Sequence, residues 1–382
     1  MSFLHRSLMK QRDSRLPNRA PVKSYTPLAW DSYLGEAQDV TIESNTFRVY
    51  LTGTEGPVLA LLHGGGYSAL TWALFTQEIT SRIKCRILAL DIRGHGETHT
   101  TDDENLSLEF IVDDVIAVVN KLYSGNDPIV FIGHSMGGAI AVHCAHKIPN
   151  CVGLCVIDVV EGTAMESLAS MQTLLRNRPS NFTSIEQAIQ WCYRSGQTQN
   201  LESARVSMPG QIKNSASGKL AASEVKDLLE NNISDDVVAN IPVCPMKHTV
   251  MGIPTISEET VVPDPTEMNT VPTSMEPPSS YIWRINLSKT EVHWRGWFQG
   301  LSEQFLNTSV PKLLLLANIH GLDTALTVGQ MQGKFQMQVL PRCGHAIHED
   351  LPHKVADLIA TFLIRHRLTT AVGEYTPIFP AC

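Results

Sequence analysis

Charge is what this 382-residue chain has little of: Asp, Glu, Lys and Arg make up 18%, against roughly 25% in an average soluble protein. Thirty basic and 38 acidic residues leave a net charge of −8. That balance makes a long polyanion such as nucleic acid an unexpected partner. No uninterrupted apolar run approaches the roughly 18 residues that cross a bilayer, so a membrane is not expected either. The opening MSFLHRSLMK has no hydrophobic stretch of the kind that begins a secretory leader. The eight cysteines include no C-x-x-C pair, which argues against a zinc finger and fits a reduced protein of the cytoplasm and/or nucleus.

The material for a core is present. Hydrophobic residues reach 43% and aromatics 7%, which excludes a mostly disordered chain. The length suits two or three units, or one large domain with an insertion. An antiparallel pair is expected at Val40–Glu43 and Phe47–Leu51. Nearly continuous apolar runs follow at Val58–Leu62, Arg86–Leu90, Ile129–Ile132, Val152–Ile157, Lys312–Ala317 and Phe335–Leu340, the character of strands buried on both faces of a parallel sheet. Helical periodicity lies between them. Ile111, Val115, Val118, Val119 and Leu122 share one face, and a helix from Pro352 buries Val355, Leu358, Ile359, Phe362 and Leu363.

This alternation predicts an α/β fold, a mostly parallel central sheet with helices on both faces, built from residues 30–160 and 311–382. Strand spacing breaks at 161–310, which reads as an inserted helical cap; Ser184 and Gln187 make a capping box within it. Residues 241–280 carry eight of the 21 prolines and no Phe, Trp or Tyr, the composition of a disordered loop. Residues 1–29 read as a flexible N-terminal tail.

The strongest local motif is Gly133-His134-Ser135-Met136-Gly137, a G-x-S-x-G between a strand and a helix. That context bends the chain into an elbow that exposes the serine hydroxyl, the nucleophile placement of the α/β-hydrolase fold. Acyl transfer also needs donors for a developing oxyanion. His63-Gly64-Gly65-Gly66 directly follows a strand, so the amides of Gly64, Gly65 and Gly66, with that of Met136, are the candidates. His345, on the loop after the last strand, is the favoured base among 14 histidines. His345, His348 and Glu349 match neither zinc-helix pattern, so no metal and no other cofactor is expected. Two aspartates could orient the imidazole: Asp158 ends one strand and Asp323 follows another. From pattern alone Asp323 is slightly favoured.

The chain resembles the protein phosphatase methylesterases. The resemblance rests on Leu61-Leu-His-Gly-Gly-Gly66, Gly133–Val142, Ile157-Asp-Val-Val-Glu-Gly-Thr-Ala-Met165, Asn200–Met208, Gly329–Leu340 and Cys343-Gly-His-Ala346. It implies a serine carboxylesterase without cofactor that removes the methyl ester from the C-terminal leucine of the protein phosphatase 2A catalytic subunit. The implied triad is Ser135, His345 and, displacing Asp323, Asp158. The implied partners are that catalytic subunit and its holoenzyme. Cap residues Arg205, Met208, Gln211, Trp283 and Trp297 are candidates to line a slot for the phosphatase tail. Ile253, Ile256 and Glu258 loosely resemble an L-x-x-I-x-E motif that docks phosphatase regulatory subunits. Replacing both isoleucines with Ala is expected to weaken holoenzyme pull-down, and unchanged retention would discard the docking role. Two other readings share these residues: a small-molecule esterase, and a phosphatase-binding inhibitor without catalysis.

Overall fold

The structure is a computed structural model that describes residues 23–236, 280–318 and 322–377. The chain opens on a hairpin of β1 (Glu36–Ile42) and β2 (Asn45–Thr52), followed by β3 (Val58–Leu62), β4 (Arg86–Leu90), β5 (Ile129–His134) and β6 (Cys151–Ile157). Three short strands, β7 (Asn181–Phe182), β8 (Ile212–Asn214) and β9 (Tyr281–Trp283), precede β10 (Lys312–Leu316) and β11 (Gln336–Val339). Eight strands form the main sheet in the order β1-β2-β4-β3-β5-β6-β10-β11. The β1–β2 and β2–β4 pairs are antiparallel and the rest are parallel.

The apolar runs follow from burial on both faces. In β3, Val58, Ala60 and Leu62 point into one core and Leu59 and Leu61 into the other. Strands β5, β6 and β10 alternate likewise, so neither face offers water a polar residue. Helix α1 (Ala73–Thr80) covers one face, and α2 (Leu108–Leu122) and α3 (Met136–Lys147) cover the other.

The insertion carries α4 (Glu161–Arg176), α5 (Ile185–Ser195), α6 (Leu201–Ser207) and α7 (Ala221–Asp236), then α8 (Glu291–Phe298) and α9 (Leu301–Asn307). It differs from an all-helical cap in two ways. Strands β7, β9 and β8 form a small antiparallel sheet beside α5, α6 and α7; strands of two or three residues are too short to show a period. Trp294, Trp297, Phe298, Leu301 and Phe305 of α8 and α9 pack into the main core beside α3, so this stretch belongs to the sheet layers. After β10 come α10 (Thr324–Met331), α11 (Ile347–Asp350) and α12 (Pro352–Arg365), the last packed beside α1.

Residues 23–29, expected within a flexible tail, run across the cap: Leu28 N–H donates to Arg205 O at 3.1 Å and Tyr25 packs on the cap core. Ile253, Ile256 and Glu258, nearly all of the expected 241–280 loop, and residues 1–22 lie outside the described residues.

Candidate active site

The carboxyl ends of β5, β6, β10 and β11 open toward one cavity, where such sheets place their sites. Ser135 follows β5 with φ 54° and ψ −121°, a left-handed conformation forced on a non-glycine residue. Its N–H donates to Ile157 O at 3.0 Å, and its carbonyl accepts from Gly138 N–H at 2.8 Å. The elbow leaves no room for side chains on its inner turns. A Cβ on Gly133 would stand 2.0 Å from Gly137 O, and one on Gly137 would stand 2.2 Å from Leu62 O. That contact with backbone cannot relax, and it explains the glycine spacing.

Asp158 follows β6, also at positive φ (53°). Its N–H donates to Leu315 O at 2.8 Å, and its Oδ1 accepts from Ala317 N–H at 2.8 Å. The free oxygen, Oδ2, meets His345 Nδ1 at 2.8 Å. Since a carboxylate only accepts, Nδ1 carries the proton and Nε2 is left facing away from the acid. Ser135, Asp158 and His345 line one cavity of about 270 Å³ with Val160, Met171, Phe298 and Leu322 among its apolar walls. No hydrogen bond joins Ser135 Oγ to His345 among the described residues. Asp323 is elsewhere engaged: Oδ1 caps α10 through Leu326 N–H at 2.8 Å and Oδ2 accepts from Ser302 Oγ.

Buried histidines brace this centre. His134 Nε2 lies 2.9 Å from His345 O and therefore donates to it, tying the residue beside the elbow to the loop that carries His345. His63 Nε2 accepts from Ile92 N–H at 3.0 Å while Nδ1–H donates to Gly64 O at 2.8 Å. His95 Nε2 accepts from Gly66 N–H at 2.8 Å. This last bond removes Gly66 from the expected oxyanion donors, because its positive φ of 81° turns the amide toward His95. The Gly64 carbonyl takes both the His63 proton and Tyr67 N–H at 3.2 Å. In a trans peptide that turns Gly65 N–H the opposite way. Met136 N–H opens α3, where first-turn amides have no intrahelical acceptor. Burial drives the imidazoles of His63 and His134 well below the usual histidine range, that of His95 to about 4 and that of His348 to about 3.

The cap residues divide. Trp297 is buried with Nε1 donating to Leu106 O at 2.7 Å, and its ring edge lies 4.0 Å from where a Gly65 Cβ would stand. Trp283 lines a second cavity. Arg205, Met208 and Gln211 line neither. Arg205 donates to Thr26 O at 2.5 Å, Met208 is fully buried in the cap core, and buried Gln211 accepts from Gln197 at 2.8 Å. Sequence reasoning missed the α4 residues Thr163, Ser167 and Met171, which line the cavity of Ser135, Asp158 and His345. Their spacing of four was the available signal. His348 and Glu349 are buried and bonded to Thr71 and Thr198, and no cluster of three His, Cys, Asp or Glu side chains is arranged to hold a metal ion among the described residues.

A model described as the alpha/beta hydrolase family matches residues 59–358. Among curated relatives, the Mus musculus protein phosphatase methylesterase 1 is 50% identical over 370 residues, covering 94% of this chain and 90% of its own. The Caenorhabditis elegans probable protein phosphatase methylesterase 1 is 41% identical, covering 91% and 79%. The Schizosaccharomyces pombe protein phosphatase methylesterase 1 is 34% identical, covering 91% and 89%. Solved structures share the fold: E-2-(acetamidomethylene)succinate hydrolase has a TM-score of 0.60 at 14% identity, covering 86% of this chain and 99% of that one. An M. tuberculosis esterase has a TM-score of 0.56 at 17% identity, covering 87% and 92%.

Proposed function

Because the chain belongs to the protein phosphatase methylesterase family of α/β hydrolases and is an esterase, we propose that it demethylates the C-terminal leucine methyl ester of the protein phosphatase 2A catalytic subunit through Ser135, His345 and Asp158. The observation that carries this reading is the 2.8 Å bond from His345 to Asp158 at the wall of the cavity that Ser135 also lines.

In the proposed reaction Ser135 Oγ attacks the ester carbonyl while His345 Nε2 takes its proton, and Asp158 holds the imidazole in the tautomer with Nδ1–H and stabilises the imidazolium. Met136 and Gly65 amides would receive the oxyanion, each worth about 3 kcal/mol. His345 returns the proton to the departing methoxide, and water repeats the cycle to release the carboxylate. The apolar walls Val160, Met171, Phe298 and Leu322 suit an aliphatic side chain next to the ester. The six described free cysteines support a reducing compartment, the cytoplasm or nucleus. Incubation with methylated phosphatase holoenzyme is expected to erase the methylated tail on a blot with release of methanol. An untouched tail beside active cleavage of p-nitrophenyl acetate would leave only a small-molecule esterase.

A further inference from the structure

A second cavity, of about 450 Å³, opens beside the glycine turn, with Arg176, Arg178, Trp283 and Leu287 in its walls. The described residues that line it include two arginines and no carboxylate, in a chain of net charge −8. Arg178 is mostly out of water. Its guanidinium carbon lies 4.8 Å from the centre of the Trp283 ring, and its Nη1 comes within 3.7 Å of where a Cβ on Gly66 would stand. Trp283 Nε1 donates to Pro179 O at 2.8 Å, so the ring and the arginine loop are held together. The groups acting on the guanidinium are the Tyr67 hydroxyl and the Cys192 thiol, both neutral, and among the described residues no carboxylate pairs with it. A guanidinium stacked on an indole and lacking a counter-charge keeps its fork of donors for an incoming carboxylate, which would recover its desolvation cost.

The two cavities are joined by one face of α4. Thr163, Ser167 and Met171 line the triad cavity and Leu175 lines the basic one; steps of four keep these four on one side of a helix. Met171 and Leu175 are about 6 Å apart along the axis, and an extended peptide advances about 3.3 Å per residue. A Cβ on Gly64 would stand 3.1 Å from Ser135 Cβ, and one on Gly66, two residues on, 3.7 Å from Arg178 Nη1, so a tail with its ester carbonyl at Ser135 reaches Arg178 within a few residues.

We propose that Arg178 and Trp283 form a subsite for an acidic side chain two to five residues upstream of the ester, which makes the esterase selective for tails carrying a carboxylate there. The subsite rests on the tail-ester reading above. The carboxylate released by the reaction forms at Ser135, in the other cavity, so the anion at Arg178 comes from farther up the same tail.

The test uses N-acetylated, otherwise uncharged hexapeptide C-terminal methyl esters that carry a single Asp at the second, third, fourth or fifth position from the ester, each paired with its Asn counterpart. Methanol release supplies kcat/KM. At one position the wild-type protein is expected to favour Asp over Asn by about ten- to a hundredfold, the range of a hydrogen bond to a charged group. Arg178→Gln should bring that ratio close to one, and Arg178→Lys should retain part of it. Because the ratio is taken within each enzyme, a general loss of activity cancels. Absence of Asp preference at every position in the wild type, or an undiminished ratio in Arg178→Gln, overturns the subsite and leaves the esterase reading standing. Release of methanol from none of the eight peptides removes the tail-ester reading and the subsite with it.

Discussion

Ser135→Ala is expected to lower methanol release from methylated phosphatase by about 10⁵- to 10⁶-fold and to abolish labelling by a fluorophosphonate probe, the scale seen when a triad nucleophile is removed. Asp158→Asn should cost about 10⁴-fold, because the amide cannot hold the imidazole in the tautomer that leaves Nε2 free to take a proton. The contrast that matters is with Asp323→Ala. Both oxygens of Asp323 are engaged in capping α10 and in bonding Ser302, so this variant should keep kcat/KM within a few-fold while losing about 1 kcal/mol of stability. An inactive Asp323 variant beside an active Asp158→Asn would sink the assignment of the acid.

Acidification is the second large effect. His63, His95, His134 and His348 are buried in the neutral form, with folded pKa values depressed by burial. Below about pH 6.5 the unfolded chain takes up protons there that the folded chain refuses, so stability falls as pH falls. Asp91 and Glu349 act in the opposite sense: burial raises both to about 7, so between about pH 4 and 7 the folded chain holds protons that the unfolded chain releases. Four groups against two leave a net proton uptake that grows from near zero at pH 7 to about two near pH 5, where the slope reaches about 3 kcal/mol per pH unit at 1.4 kcal/mol per proton. Against a typical total of about 5–15 kcal/mol that is a large fraction. Thermal unfolding should therefore occur at clearly lower temperature at pH 5.5 than at pH 7.5, with little change between pH 7 and 8. His348→Asn should flatten the acid limb by one proton. Equal melting temperatures at pH 5.5 and 7.5 would contradict this account.

Near-neighbour patterns were what the sequence made legible. The runs at Val58–Leu62 and Arg86–Leu90 coincide with β3 and β4, because strands buried on both faces write an unbroken apolar string. Ser184 Oγ does accept from Gln187 N–H at 3.2 Å at the start of α5, because a capping contact spans three residues. The elbow around Ser135 was readable for the same reason, since its glycines are required by contacts within five residues and with the adjacent strand. Contacts between distant segments left no such trace. Strand β9 pairs with β7 about 100 positions away and with β8 about 70 away, and the fate of Gly66 N–H depends on His95, 29 positions away.

Local pattern by itself, periodicity for the α/β layering and the G-x-S-x-G spacing for the elbow serine, thus settled both, because each is a local consequence of side-chain size and backbone freedom. For the aspartate that meets His345, local pattern slightly favoured Asp323, which the structure overturns, and only a likeness to a family favoured Asp158. The choice became physical in three dimensions, where β10 turns Asp158 toward the imidazole 187 positions away while α10 consumes Asp323 as a cap. Arg178, mostly out of water and without a carboxylate among the described residues, is likewise a property of the folded surface, since an arginine's want of a partner depends on what the rest of the chain brings near it.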